Sequence, residues 1–325
     1  MDSFVYSLNA TIPIFLVMIV GWVIKQLGVI DDHFVSKANK YVFHVALPVL
    51  LFKDISSADM TTKFDLKFVM YCMLVTITMF LVTWLLTELL MRDDTMKGSF
   101  VQASCRSSAA ILGMAFIQNM YSDTGMAPLM IVAAVPLFNI ISVIVLTFKA
   151  HPELQDETIT DVPQLSKKEN IKKAFINILK NPIIIGIFLG LPFSLLQVDF
   201  PVIIDKTLAS IAQTATPIAL IVIGAGFEGR KAIKKIVPTL ISTFIKLIGL
   251  AAIFLPLAIS MGFRNQELMA ILIMLASPTT VSCYIMAKNM DNDDVLASSI
   301  IVLTTLLSSV TLTGWIFLLR YFHFV

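Results

Sequence analysis

The chain reads as a series of long apolar runs joined by short polar connections. A helix needs about 17 to 25 predominantly apolar residues to cross a bilayer. Runs of that length fall at 7–27, 36–53, 67–91, 99–120, 127–148, 175–196, 202–226, 237–261, 268–288 and 295–319, so ten spanning helices and an all-α polytopic membrane protein are expected. The one sizeable polar stretch, 149–173 (KAHPELQDETITDVPQLSKKENIKK), divides five spans from five. It separates a first unit, 1–148, from a second, 174–325.

Two of the runs are interrupted. The ninth, within QELMAILIMLASPTTVSCYIMAKNM (266–290), carries Ser277, Pro278, Thr279 and Thr280 at its middle and Ser282 just beyond. Proline removes a backbone donor and crowds the preceding turn, so the helix should kink or break near Ala276. In hydrocarbon the freed backbone groups must be satisfied, which confines such a break to protein interior or a wet cavity. One reading makes it a ligand site built from a discontinuous helix; the other makes it a kink whose hydroxyls bind helices together. The fourth run, within KGSFVQASCRSSAAILGMAFIQNMY (97–121), is small and polar at its centre, with Arg106, Ser107, Ser108 and Gly113. It too should be a weak helix.

The two interruptions are related. Sliding the chain by 169 residues lays Pro13 on Pro182, Gly21 on Gly190, Pro48 on Pro217 and Ser108 on Ser277, without a gap. Because each unit holds an odd number of spans, the second copy enters the membrane from the opposite side. The expected architecture is an inverted repeat, as in many secondary transporters.

Composition and charge narrow the picture. Of 325 residues 57% are hydrophobic and 14% charged, with a net charge of +2, so the bilayer is the surrounding and no basic field points to nucleic acid. With both termini outside, the inner connections carry Lys149, Lys167, Lys168, Lys172, Lys173, Arg230, Lys231, Lys234 and Lys235 among others, against Lys53, Lys63, Lys67, Arg264 and Arg320 on the outer side. The positive-inside rule therefore puts the central loop in the cytoplasm and the chain in the cell membrane. The N-terminus opens on Asp2 and shows neither a basic segment nor a cleavage site, so the first span is expected to be retained. Cys72, Cys105 and Cys283 lie in apolar runs without metal-site spacing, and no metal or cofactor is expected. GxSxG, HExxH and an intramembrane aspartate pair are all missing from the sequence, which argues against an enzyme.

The candidate chemistry is positive. Arg106 in the fourth run and Lys246 in the eighth face no obvious acid in the core of any run. A charge inside the bilayer is costly and is a functional hypothesis by default. Broken helices add half-helix N-termini, whose amides and dipole favour anions. A small organic anion, a carboxylate foremost, is the expected ligand, held by these groups, the hydroxyls at the breaks and Asn139 in the fifth run. Two alternatives stand beside this: Arg106 snorkelling to the surface, and Lys246 bridging backbone carbonyls of the break. No buried acidic pair marks a proton or sodium site. A second copy of the chain is a candidate partner.

Several segments carry a family resemblance: Tyr41-Val42-Phe43-His44-Val45-Ala46-Leu47-Pro48, Asn181-Pro182-Ile183-Ile184-Ile185-Gly186, Thr216-Pro217-Ile218-Ala219-Leu220-Ile221-Val222-Ile223-Gly224-Ala225, and Ala276-Ser277-Pro278-Thr279 with Ala287-Lys288. Together they resemble the auxin efflux carrier family, in its bacterial branch. The resemblance implies a scaffold of helices 1, 2, 6 and 7, a transport domain of helices 3–5 and 8–10, and a substrate beside the crossing of the broken helices four and nine. It implies a secondary active or facilitative transporter of organic anions that moves one domain against the other. A dedicated malate- or malonate-type dicarboxylate permease and a non-transporting membrane sensor are the alternatives. The chain departs from the family in its fourth helix, where Ser108 stands near the usual Asn and Gly113-Met114-Ala115 replaces Gly-Ile-Pro. Auxin is the less supported substrate for that reason, and a straighter fourth helix is one consequence to look for.

Overall fold

The computed structural model describes residues 2–57, 65–109, 126–151, 167–196, 198 and 200–325. Within them the chain is helical, with one isolated bridge and no strand. The helices are α1 (Asp2–Gln26), α2 (Asp32–Tyr41), α3 (Leu47–Ser56), α4 (Leu66–Leu90), α5 (Asp94–Cys105), α6 (Ala127–Phe148), α7 (Lys167–Lys180) and α8 (Pro182–Leu196). They continue as α9 (Val202–Ala225), α10 (Gly229–Lys234), α11 (Ile236–Phe244), α12 (Leu250–Ser260), α13 (Asn265–Ala276), α14 (Ser282–Asn289) and α15 (Asp294–Tyr321). Single π-helical turns, Val42–Ala46 and Ile245–Gly249, join α2 to α3 and α11 to α12.

Aspartates in the short connections start several of these helices. Asp31, Asp65, Asp93 and Asp293 each accept a hydrogen bond from a first-turn amide, of Phe34, Phe68, Thr95 and Leu296 respectively. Such caps satisfy donors that the helix cannot. Asp293 thus has a structural task where a solvated loop end was the simplest expectation: it is buried and also pairs with Lys235.

Among the described residues five helices, Leu66–Leu90, Ala127–Phe148, Val202–Ala225, Ile236–Ser260 and Asp294–Tyr321, are long and apolar enough to cross a membrane. Ala174–Lys180 and Pro182–Leu196, bent by 55° at Asn181, make a sixth if taken as one span. Pro182 has no amide to continue the preceding helix, so the chain turns there. The outer surface is correspondingly greasy. Leu89, Leu196 and Ile203 are among many large apolar side chains left exposed, while Ser104, Ser142, Ser242 and Thr304 are buried. In water that distribution would be unfavourable; against lipid tails it is what a spanning bundle requires.

Two helix pairs pack backbone to backbone. A methyl group added at Gly21 of α1 would lie 2.3 Å from the Ile221 carbonyl oxygen of α9, and one added at Gly190 of α8 would lie 2.9 Å from the Phe52 carbonyl oxygen of α3. Only glycine permits these approaches. The same 169-residue displacement that carries Gly21 to Gly190 carries Phe52 to Ile221.

Candidate functional site

The ninth run breaks where its proline demands. α13 ends at Ala276, Ser277 turns to extended backbone (φ −68°, ψ 156°), and α14 starts at Ser282. The fourth run breaks as well, without a proline: α5 ends at Cys105 and Arg106 is extended (φ −73°, ψ 129°). The straighter fourth helix does not occur over the described residues. Its stop is tertiary in origin, because the two breaks bind each other. The Ser108 amide donates to the Pro278 carbonyl at 2.9 Å, Ser107 and Thr279 form an antiparallel bridge, and the Thr279 hydroxyl donates to the Ala103 carbonyl at 2.7 Å. Each break supplies the partners that the other lacks. The Thr279 amide donates to Thr304 of α15, which closes the accounting on that side.

Arg106 is 3% exposed, so it does not snorkel. Its guanidinium donates to Asn139 Oδ1 of α6 and to Ser282 Oγ at the head of α14, both at 2.8 Å, and to the Met286 sulfur. Thioether sulfur is a weak acceptor, and the buried Nε has no partner among the described residues. None of these acceptors is a carboxylate. The cation also stands beside the first residue of α14, the end at which a helix presents its own positive potential. Two like-signed potentials therefore meet here.

Lys246 is fully buried in the π turn after α11. Its ammonium donates to the Leu275 carbonyl at 2.7 Å and to Ser107 Oγ, and Ser107 in turn donates to the Met274 carbonyl. These carbonyls close the C-terminal end of α13, where helix potential is negative. Lys246 is matched to its surroundings; Arg106 is not. The π turn that aims Lys246 inward leaves the Leu247 carbonyl free for Trp315 Nε1, which donates to it at 3.0 Å.

Beside Arg106 lies a cavity of about 70 Å³. Arg106, Ser107, Ser108, Val135, Phe138, Asn139, Thr280 and Ser282 line one side; Leu47, Leu50, Leu51 and Asp54 of α3 and Ala215, Thr216 and Ala219 of α9 line the other. Of the residues singled out in the sequence, Arg106, Ser107, Ser108, Asn139, Thr280 and Ser282 come together there. Ser277, Pro278 and Thr279 form the break behind it, Lys246 stands behind them, and Gly113 lies outside the described residues. Sequence reasoning overlooked Asp54 and Thr216. Asp54 stands one residue past the end of its apolar run, where an acid reads as a solvated end, yet it is half-buried against the cavity. The paired prolines Pro48 and Pro217 were the available signal, since both walls come from the helices that contain them.

Comparison with known proteins agrees with this arrangement. A family described as "Membrane transport protein" matches residues 6–316. A protein of Rhizobium meliloti (strain 1021) named "Putative malonate transporter" is 24% identical over 319 residues, 95% of this chain and 94% of that protein. A Mus musculus protein named "Lysosomal cholesterol signaling protein" is 22% identical over 225 residues, 68% of this chain; the match spans only 26% of the mouse protein. The family match runs from the first apolar run to the last, through both breaks and the buried arginine: the chain belongs to the membrane transport protein family, that of the auxin efflux carriers its motifs resemble.

Proposed function

We propose that this protein is a secondary active or facilitative transporter of small organic anions, carboxylates foremost, with Arg106 as the group that receives the anion. The observation that carries the reading is the buried guanidinium beside the cavity, with an unpartnered Nε and no carboxylate on it, at the positive end of a half-helix. An anion at this point relieves the repulsion between the two positive potentials and accepts from a planar donor fork suited to carboxylate. Asn139 and Ser282 hold the guanidinium in place, and the hydroxyls of Ser108 and Thr280 are at hand for further hydrogen bonds.

The cavity wall divides between two groups of helices, which supports alternating access by a transport body (the third to fifth and eighth to tenth runs) moving against a scaffold (the first, second, sixth and seventh). The Gly21 and Gly190 approaches tie the scaffold helices to one another, and their relation by the 169-residue displacement supports two inverted five-helix units. In this reading both termini lie outside and the central loop is cytoplasmic.

A narrower reading, a dedicated malate- or malonate-type permease, has its own support. Water needs roughly 10–15 Å³ of such space per molecule, so the cavity holds about five waters, suited to a three- or four-carbon acid and small for an indole ring. The name of the Rhizobium relative points the same way.

The test is counterflow of labelled malonate into proteoliposomes, with malate, succinate, lactate and indole acetate as unlabelled competitors. Saturable uptake competed by carboxylates is expected, with dicarboxylates ahead of monocarboxylates under the narrower reading. Folded protein that exchanges none of these anions would overturn both.

A further inference from the structure

Lys246 is not absorbed by the anion site. It is absent from the cavity lining, wholly shielded from solvent, and bonded to the Leu275 carbonyl and Ser107 Oγ, one from each broken run. Among the described residues no carboxylate neutralises it. A lysine in a membrane ordinarily extends its stem toward water; this one is turned inward by a π turn and ends on oxygen dipoles. In transporters with discontinuous helices, half-helix C-terminal ends and unwound carbonyls are the ligands of coupling cations. The oxygens around the ammonium are that kind of set, with Met274 joined through the Ser107 hydroxyl.

We propose that the Lys246 ammonium is a tethered counter-ion standing where a small monovalent cation would otherwise bind, so that the carrier cycle of this chain needs no sodium. The consequence for transport rests on the function proposed above; the cation site itself does not. Cutting the side chain back to Cβ removes the equivalent of a propylammonium ion, and the oxygens left behind form a site for a free cation of that charge and size.

The experiment compares wild type and Lys246→Ala, each purified in choline chloride and transferred at constant ionic strength to sodium or n-propylammonium chloride. Melting temperature is read in detergent and malonate counterflow in proteoliposomes. Expected is a wild type whose melting temperature is the same in all three salts. Lys246→Ala melts lower in choline and is raised, saturably, by propylammonium or sodium. Where wild type exchanges malonate, the variant loses at least about tenfold in choline and regains most of that with the small cation. If Lys246→Ala is recovered folded only when the small cation is present during solubilisation, that counts as the same result. Wild type specifically stabilised by sodium would overturn the proposal, as would a variant that no small cation stabilises or helps to recover. The melting arm needs no transported anion, so wild-type protein that exchanges nothing would refute the transport reading while leaving the cation site decided by melting alone.

Discussion

The two breaks look alike in sequence and differ in electrostatics. At the fourth run the buried cation, Arg106, faces the N-terminal end of α14; at the ninth run the buried cation, Lys246, faces the C-terminal end of α13. The first pairing is repulsive and the second attractive. Depth alone therefore does not identify a binding charge. The informative quantity is which end of which half-helix the charge meets, and whether its donors are used: Lys246 finds a carbonyl and a hydroxyl, whereas Arg106 settles for a thioether and leaves Nε unpaired.

That contrast breaks most readily at Arg106. Arg106→Gln should lower malonate exchange about a hundredfold, in line with the roughly 3 kcal/mol lost when a charged donor leaves an anion, while the melting temperature stays level or rises because an uncompensated cation has gone. Melting and counterflow on one preparation check this. Lys246→Met should do the reverse for stability: two buried acceptors lose their donor, costing about 1–3 kcal/mol, and the KM for whatever exchange remains should hold within about threefold.

Next in size are the glycine contacts. Gly21→Ala and Gly190→Ala should each destabilise by about 1–3 kcal/mol through overpacking. Gly21→Ala should be the worse, because its added methyl meets carbonyl oxygen at 2.3 Å against 2.9 Å. Thermal melts of the two variants decide the order. Asp54→Asn sharpens the cavity assignment, since removing a negative charge from the wall should tighten malonate binding a few-fold, read as a fall in KM. The smallest effect lies outside the spans, at Asp94. Hydrogen bonding from Lys97, and then from Lys149, lowers its carboxyl to about 2. The folded value lies below the ordinary one near 3.8, so the stabilisation is complete above that pH and fades as pH falls toward 2. Asp94→Asn should therefore lower the melting temperature slightly at pH 7 and leave it unchanged near pH 2.

Much of this was legible in the chain. Apolar runs place Ala127–Phe148 to the residue and Leu66–Leu90 and Val202–Ala225 within one, because lipid imposes a length and leaves little freedom. Pro278 announces its own break by chemistry that needs no context. The break at Arg106 was only half legible: Arg-Ser-Ser makes a poor lipid-facing helix, but what ends α5 is pairing with Pro278 and Thr279, distant in sequence. The roles of Arg106 and Lys246 were not separable, since each depends on which half-helix end the fold brings against it. Asp54 was missed because run length marks where a span stops, not which side chains at its end turn back toward the interior.

The most direct measurement is malonate binding to purified wild type, Arg106→Gln and Lys246→Gln, by calorimetry in the same detergent and buffer. Loss of saturable binding in Arg106→Gln alone is the predicted result. Binding retained by Arg106→Gln and lost by Lys246→Gln would contradict the account, because it would place the anion on the cation that α13 already satisfies.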